Sequence, residues 1–211
     1  MSVKEVPTTI HSRIAKLFEN IRIKLKSFAT RAPRELCILL LGLDYAGKTT
    51  LAKRLKLGEE EPIELESYPT MGLNLESVTF RNLKLQIMDI GGQTAFRETL
   101  WKSFFLETAP DLLIYVVDSA EEDHRMKLAK EVFWEVASFL EEKEIDIVVL
   151  ANKQDLKTAR TAGVVAHELE LTRTIKDGAR SFSVYPVSCI TGEGLEEAFD
   201  VIYEKLSVLI S

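Results

Sequence analysis

Residues 42–50 read Gly-Leu-Asp-Tyr-Ala-Gly-Lys-Thr-Thr, and their types and spacing point to polyphosphate chemistry. In a G-x-x-x-x-G-K-T pattern, glycines at the two ends let the backbone curl so that several N–H groups point inward at the positive end of a helix. Gly42, Asp44, Ala46, Gly47 and Thr50 belong to that cradle. Lys48 would bridge β- and γ-phosphates, and the Thr49 hydroxyl would be a ligand of the Mg²⁺ that travels with them.

Two further segments carry chemistry. Asp89-Ile90-Gly91-Gly92-Gln93 offers a carboxylate where an Mg²⁺ ligand is wanted, a glycine N–H able to meet a γ-phosphate, and a carboxamide able to orient an attacking water. Asn152-Lys153-Gln154-Asp155 offers base recognition. A carboxylate at Asp155 can accept from N1–H and the 2-amino group of guanine, whereas adenine presents a lone pair at N1 and no 2-amino donor. Such a mismatch in a hydrogen-bonding site costs several kcal/mol, on the order of a strong selection for GTP over ATP. Asn152 would brace the loops and the Lys153 stem would lie across the base.

These segments need strands that end beside one another. Apolar runs at 36–41, 73–80, 83–90, 112–118, 145–151 and 182–188 alternate with helical patterns at 48–57, 94–107, 122–143, 163–170 and 194–208. That alternation predicts an α/β fold, a mostly parallel sheet covered on both faces, with ligands beyond the carboxyl ends of the strands. Only Arg81-Asn82 separates the second and third strands, so they must form an antiparallel hairpin at an edge. Met126, Ala129, Phe133, Val136 and Leu140 form one core stripe; Leu195, Ala198, Phe199, Ile202 and Leu206 form another. Gly58–Pro69 reads as a charged loop.

Composition narrows the class. With 46% apolar and 28% charged residues the 211-residue chain is that of a soluble globular protein. Residues 1–34 hold eight Lys/Arg against two Glu, so this segment carries +6 and the remainder −12 of a net −6. No nucleic-acid partner is expected of so acidic a body. Cys37 and Cys189 give neither zinc spacing nor a disulfide framework and read as small apolar residues in a reducing compartment. No apolar run approaches the roughly twenty residues of a membrane span, and no signal peptide is evident. The expected location is cytoplasmic.

Residues 1–34 form a unit of their own. Ile10, Ile14, Leu17, Phe18, Ile21, Leu25 and Phe28 fall on one helical stripe, with Lys16, Arg22 and Lys26 opposite. The apolar face of this basic amphipathic helix could meet a membrane surface, a groove on its own domain, or another protein. Its composition favours reversible contact with an anionic membrane through Ile14, Leu17, Phe18, Ile21, Leu25 and Phe28. Ser2 stands where N-myristoylation needs glycine, so no acyl chain is expected.

Taken together, Gly42–Thr50, Pro69-Thr70-Met71-Gly72-Leu73-Asn74, Asp89–Gln93, Val117-Asp118-Ser119 and Asn152–Leu156 resemble the segments of the Arf/Arl/Sar small GTPases, in order and at family-like spacing. Ser188-Cys189-Ile190-Thr191-Gly192-Glu193-Gly194 resembles that family's last base-contacting loop, and the likeness spans residues 36–208. The resemblance implies a P-loop small G domain over residues 35–211, six-stranded with one antiparallel edge strand, preceded by the 1–34 helix segment. It implies GTP/GDP and Mg²⁺ as ligands, with Thr49, Thr70 and, through water, Asp89 at the metal. Gln93, Lys48 and Thr70 would serve hydrolysis, Gly92 would meet the γ-phosphate, and the backbone near Ser188 and Cys189 would meet the guanine carbonyl beside Asn152, Lys153 and Asp155. An exchange factor, an activating protein, and effectors at the switch and interswitch surface follow as partners.

The likeness also implies that the 73–90 hairpin shifts on GTP binding and evicts the N-terminal helix. The chain departs from the family at Leu73 and Met88, where Phe and Trp are common, and at Phe104, where Tyr is common. Those positions form the family's effector-reading surface, so effector identity does not transfer. The expected activity is a slow GTP-hydrolysing switch with a membrane-seeking helix. Its rivals are a non-cycling scaffold subunit at a membrane receptor and, disfavoured by Asn152–Asp155, a P-loop kinase or ATPase.

Overall fold

A computed structural model describes residues 35–57, 73–90, 110–140, 145–171 and 182–210. The six strands are β1 (Leu36–Leu41), β2 (Leu73–Phe80), β3 (Leu83–Ile90), β4 (Leu112–Asp118), β5 (Asp146–Asn152) and β6 (Ser183–Pro186). Between and after them lie α1 (Lys48–Leu57), α2 (Asp123–Phe139), α3 (Ala162–Glu168) and α4 (Leu195–Ser207), followed by a 3₁₀ turn at Val208–Ile210. The sheet order is β2-β3-β1-β4-β5-β6. β2 and β3 pair antiparallel and every other pair is parallel, as the two-residue link at Arg81-Asn82 requires.

Strand periodicity sorts the core into two layers. Leu39 and Leu41 of β1 join Leu113, Tyr115, Phe133, Val136 and Val165 on the face covered by α2 and α3. Ile38 and Leu40 join Leu51, Leu55, Ile114, Phe199 and Ile202 on the face covered by α1 and α4. Both stripes read from the sequence are buried. Phe133 sits edge-on to Tyr115, Trp134 and Phe182 at ring distances of 5.2, 5.5 and 5.2 Å. Such pairs add about 0.5–1.5 kcal/mol each to the area they bury.

Element boundaries differ from the sequence expectation in several places, among them α3, Ala162–Glu168 against 163–170, and α4, Leu195–Ser207 against 194–208. β5 begins and ends one residue later, which brings Asn152 into the ladder opposite Asp118. β6 stops at Pro186, because beyond Val187 the Ser188 N–H leaves the ladder and donates to Glu193 O at 2.8 Å, closing a loop. α2 ends at Phe139, where the Leu140 N–H turns back to Ala137 O at 3.2 Å. Met88 is only 3% exposed and packs in the α2–α3 layer. It lies on an interior strand, between β2 and β1, and offers little surface to a partner.

The tip of the β2–β3 hairpin is fastened to α4. The Arg81 guanidinium pairs with Asp200 and lies 4.9 Å from the Tyr203 ring centre, and Tyr203 Oη donates to Asn82 Oδ1 at 2.9 Å. The N-terminal helix, the Gly58–Pro69 loop and the 94–107 helix lie outside the described residues. None of the described helices is long and apolar enough to cross a membrane.

Candidate functional site

β1 delivers the chain into the 42–47 loop, and β4 sets how tightly it must turn. Gly42 has φ +140°, and a Cβ there would stand 2.1 Å from Val116 O. Gly47 has φ +101°, and a Cβ would stand 2.2 Å from Asn152 Nδ2. Neither position admits a side chain. Between them Tyr45 takes a left-handed φ of 62°, a costly conformation for a bulky residue, and its neighbours show why it is held there. Arg125 Nη2 donates to Asp44 O at 2.9 Å and to Asp44 Oδ1 at 3.1 Å, while Asn152 Nδ2 donates to Ala46 O at 2.8 Å.

The loop runs into α1, whose Leu51 N–H donates to Gly47 O at 2.9 Å. Lys48, 5% exposed, reaches back so that Nζ donates to Leu43 O at 2.7 Å and to Gly42 O at 3.1 Å. Burial lowers its pKa from 10.5 to about 8, with Asp89 and Asp44 pulling it back up. Pairing of Leu40 with Asp89 puts the end of β3 beside the loop. There Thr49 Oγ1 donates to Asp89 Oδ2 at 2.5 Å.

That hydroxyl–carboxylate pair has the hard oxygen donors that Mg²⁺ prefers, and Mg²⁺ commonly takes one or two protein ligands and completes its shell with phosphate oxygens and water. Among the described residues no cluster of three or more His, Cys, Asp or Glu gathers. The donor set therefore fits a phosphate-borne Mg²⁺ better than an all-protein cage.

β5 and β6 build the other end. Asn152 spans both ends, since its Oδ1 also accepts from Cys189 N at 2.9 Å. Lys153, with φ 67°, pairs with Asp118 Oδ2 at 2.5 Å. Asp118 Oδ1 accepts from Ala120 N at 2.9 Å. Ser188 Oγ donates to Asp155 Oδ1 at 2.6 Å and accepts from Thr191 N at 3.1 Å. Asp155 is an exposed residue at the rim of this loop, so its carboxylate is oriented by Ser188 rather than by burial.

Lys48, Thr49, Asp89, Asn152, Lys153, Asp155, Ser188 and Cys189 are thus gathered at one end of the sheet. Thr70, Gly92 and Gln93 lie outside the described residues. The Ser188 amide donates to Glu193 O and the Cys189 amide to Asn152 Oδ1. The Asp44 carboxylate faces Arg125, which leaves the backbone as the part of Asp44 suited to a phosphate.

The sequence reading missed Arg125, Arg54, Gln154 and Arg160. Arg125 has a legible signal, because Glu121 stands four residues before it. Burial works against its charge, but bonds to Glu121 and Asp44 hold its pKa above the ordinary value. Gln154 Nε2 donates to Ser119 Oγ and Arg160 O at 3.0 Å each, and Arg160 pairs with Asp123 and Glu168. These tie the loop after β4 to the loop after β5. The cysteines are no nucleophiles: burial pushes both thiols up to about 12, helped at Cys37 by Asp111.

A phosphate loop on β1, a carboxylate at the end of β3, and Asn-Lys-x-Asp at the end of β5 define a small G domain. The comparisons agree. The family model described as ADP-ribosylation factor family matches residues 22–206. ADP-ribosylation factor-like protein 1 of Drosophila melanogaster is 44% identical over 176 residues, covering 82% of this chain and 90% of the relative. ADP-ribosylation factor 1 of Brassica rapa subsp. pekinensis is 41% identical over 173 residues, covering 82% and 89%. The Arl6 BBS3 small GTPase of Trypanosoma brucei, solved with the bound nucleotide analogue GppNp, superposes with a TM-score of 0.70 at 26% identity, covering 82% of this chain and 98% of that one. The chain belongs to the ADP-ribosylation factor family of small GTPases.

Proposed function

We propose that this protein is a GTP-hydrolysing molecular switch that alternates between GDP and GTP and associates reversibly with an anionic membrane through its 1–34 segment. The observation that carries the reading is the position of Asn152, which braces Ala46 in the phosphate loop and Cys189 in the base loop at once. A single side chain thereby fixes the two ends of a nucleotide-sized site relative to one another.

In this reading, Lys48 and the backbone amides of Gly42, Asp44, Ala46, Gly47 and Thr50 hold the phosphates, joined by Gly92. Thr49 and Thr70, with Asp89 through water, would hold Mg²⁺, which would supply neutralisation of phosphate charge when bound. Gln93 orients the attacking water. Asn152, Lys153 and Asp155 select guanine over adenine. Among the described residues no arginine is evidently placed to offset transition-state charge, so unaided turnover is slow and an activating protein is needed, such a finger being worth roughly 10³–10⁵ in rate. Thr70 and Gly92 contacts in the GTP state supply the differential affinity that any nucleotide-driven change of shape requires. Exchange factors and effectors complete the cycle.

The test is nucleotide binding and turnover by the full chain. Fluorescent GDP is displaced by GTP and resists a hundredfold excess of ATP, on the order of the several-kcal/mol mismatch above. Gln93→Leu keeps GTP binding and loses hydrolysis. Equal competition by ATP sinks the guanine reading, and absence of both exchange and turnover leaves a locked scaffold. For the membrane arm, flotation on anionic liposomes occurs with a non-hydrolysable GTP analogue and not with GDP; equal flotation in both states removes the coupling.

A further inference from the structure

Tyr45 sits in the phosphate loop with φ 62°, a conformation that glycine adopts freely and a bulky residue only under strain. Both neighbours are tied down: Arg125 Nη2 holds Asp44 O, and Asn152 Nδ2 holds Ala46 O. Strain of this kind persists where the surroundings over-determine it, and it clusters at sites that use it. Of the large apolar side chains left exposed among the described residues, Tyr45 is the one aromatic, 55% exposed and a member of neither core layer.

Peptide planarity orients residue 45. In a trans peptide the carbonyl and the following N–H point in opposite directions. With Asp44 O turned to Arg125 and Ala46 O to Asn152, the Tyr45 and Gly47 N–H groups face the hollow of the loop, where the phosphates belong. The walls on either side are filled by their own ion pairs, Arg125 with Glu121 and Lys153 with Asp118. The direction left to the Tyr45 ring is the open mouth between the phosphate loop and the base loop. A nucleotide's sugar must cross that mouth, because Lys48 lies at one end and Asp155 at the other. Ligand sites commonly enclose about 70–90% of a ligand's surface, and none of the residues placed above covers the sugar.

We propose that Tyr45 is a further nucleotide-binding residue, whose ring lies across the sugar of the bound guanine nucleotide and shields it from water. This rests on the guanine reading proposed above and extends it to a part of the ligand that the motifs leave open. The aromatic face meets the sugar's C–H groups, and the phenol hydroxyl stays in solvent. The left-handed backbone lets one residue give its N–H to the phosphates and its ring to the sugar.

The experiment follows release of radiolabelled GDP from the full-length protein and its Tyr45→Phe and Tyr45→Ala variants. Tyr45→Ala releases GDP about five- to tenfold faster, the effect expected when roughly 40–50 Å² of apolar surface returns to water, and Tyr45→Phe keeps the wild-type rate. The diphosphate of an acyclic guanosine analogue, whose open chain gives the ring no sugar to cover, leaves all three proteins equally fast. An unchanged GDP rate in Tyr45→Ala overturns the proposal, as does a Tyr45→Phe variant as fast as Tyr45→Ala. Equal acceleration of both ligands is what a merely structural tyrosine gives and overturns it too. Should Tyr45→Ala fail to fold, nitration of wild type by tetranitromethane decides. GDP slows nitration of Tyr45, mapped by peptide mass spectrometry, while Tyr115, 0% exposed, stays unreacted and shows the fold intact with and without GDP. Equal nitration of Tyr45 in both states overturns the assignment. Wild type that binds neither GDP nor GTP refutes the guanine reading itself, a separate outcome.

Discussion

The side chain of Asn152 and the backbone of Gly47 leave each other no room: a Cβ on Gly47 would come within 2.2 Å of Asn152 Nδ2. The amide nitrogen that closes this gap is the one that donates to Ala46 O. The brace between the two halves of the site therefore exists only because residue 47 has no side chain.

Asn152→Ala strands a carbonyl at Ala46 and an amide at Cys189. Each buried group left without a partner costs about 1–3 kcal/mol. The variant unfolds at lower urea and releases fluorescent GDP at least about tenfold faster, a factor that corresponds to roughly 1.4 kcal/mol. Unchanged GDP release rules out Asn152 as the brace.

Arg125 holds Asp44 by its carbonyl and carboxylate and Glu121 by Nε at 2.7 Å. Arg125→Ala loses these bonds at a half-buried site, so stability falls by about 1–2 kcal/mol after allowance for solvent. With Asp44 unpinned, the strained Tyr45 relaxes and phosphate affinity drops. Thermal melting and GDP titration read the two effects separately.

Thr49→Ala removes the hydroxyl that meets Asp89. In wild type, chelating Mg²⁺ with EDTA is expected to speed GDP release; in the variant, release is fast with or without EDTA. A variant that still responds fully to EDTA assigns the metal to other groups.

Cys37 and Cys189 titrate near 12 in the fold, because burial opposes the thiolate, and near 9 when unfolded. Their protonated forms favour the native state, so this contribution is fully present below pH 9 and is lost as pH rises toward 12. Native protein at pH 8 reacts slowly with a thiol reagent and reacts at once in urea. A comparison of urea midpoints between pH 8 and pH 10.5 shows a shallower fall when Cys189→Ala removes one of the two groups.

The elements and the phosphate loop were legible because they rest on local rules. Alternating apolar runs give a parallel sheet, the two-residue Arg81-Asn82 link forces the hairpin, and the glycines at 42 and 47 announce a curled backbone. The placement of Asn152 and Asp155 beside the 42–47 loop was legible because they follow an apolar strand run whose end falls at the same edge of the sheet as the end of β1. Arg54 and Arg125 were not, because a basic residue on a helix reads as solvated until the fold brings a distant carbonyl or carboxylate to it. Cys189 and Ile190 lie 135 and 136 residues from Arg54. The rim position of Asp155 was hidden for the same reason: exposure belongs to the assembled loops.

The antiparallel edge has a mechanical consequence. Side chains on β3 alternate between the two core layers, with Leu85 and Ile87 in one and Met88 and Ile90 in the other. A slip of one residue along β1 exchanges these sets and turns Asp89 to the wrong face. Registers that keep these faces differ by two residues, about 6.6 Å at the parallel-strand rise. In the register shown, Asp89 lies beside Thr49 at one end of the hairpin, and Arg81 and Asn82 hold its tip on Asp200 and Tyr203 at the other. The pairing of β3 with β1 thus sets in one register both the two core layers and the seat of the Asp89 carboxylate.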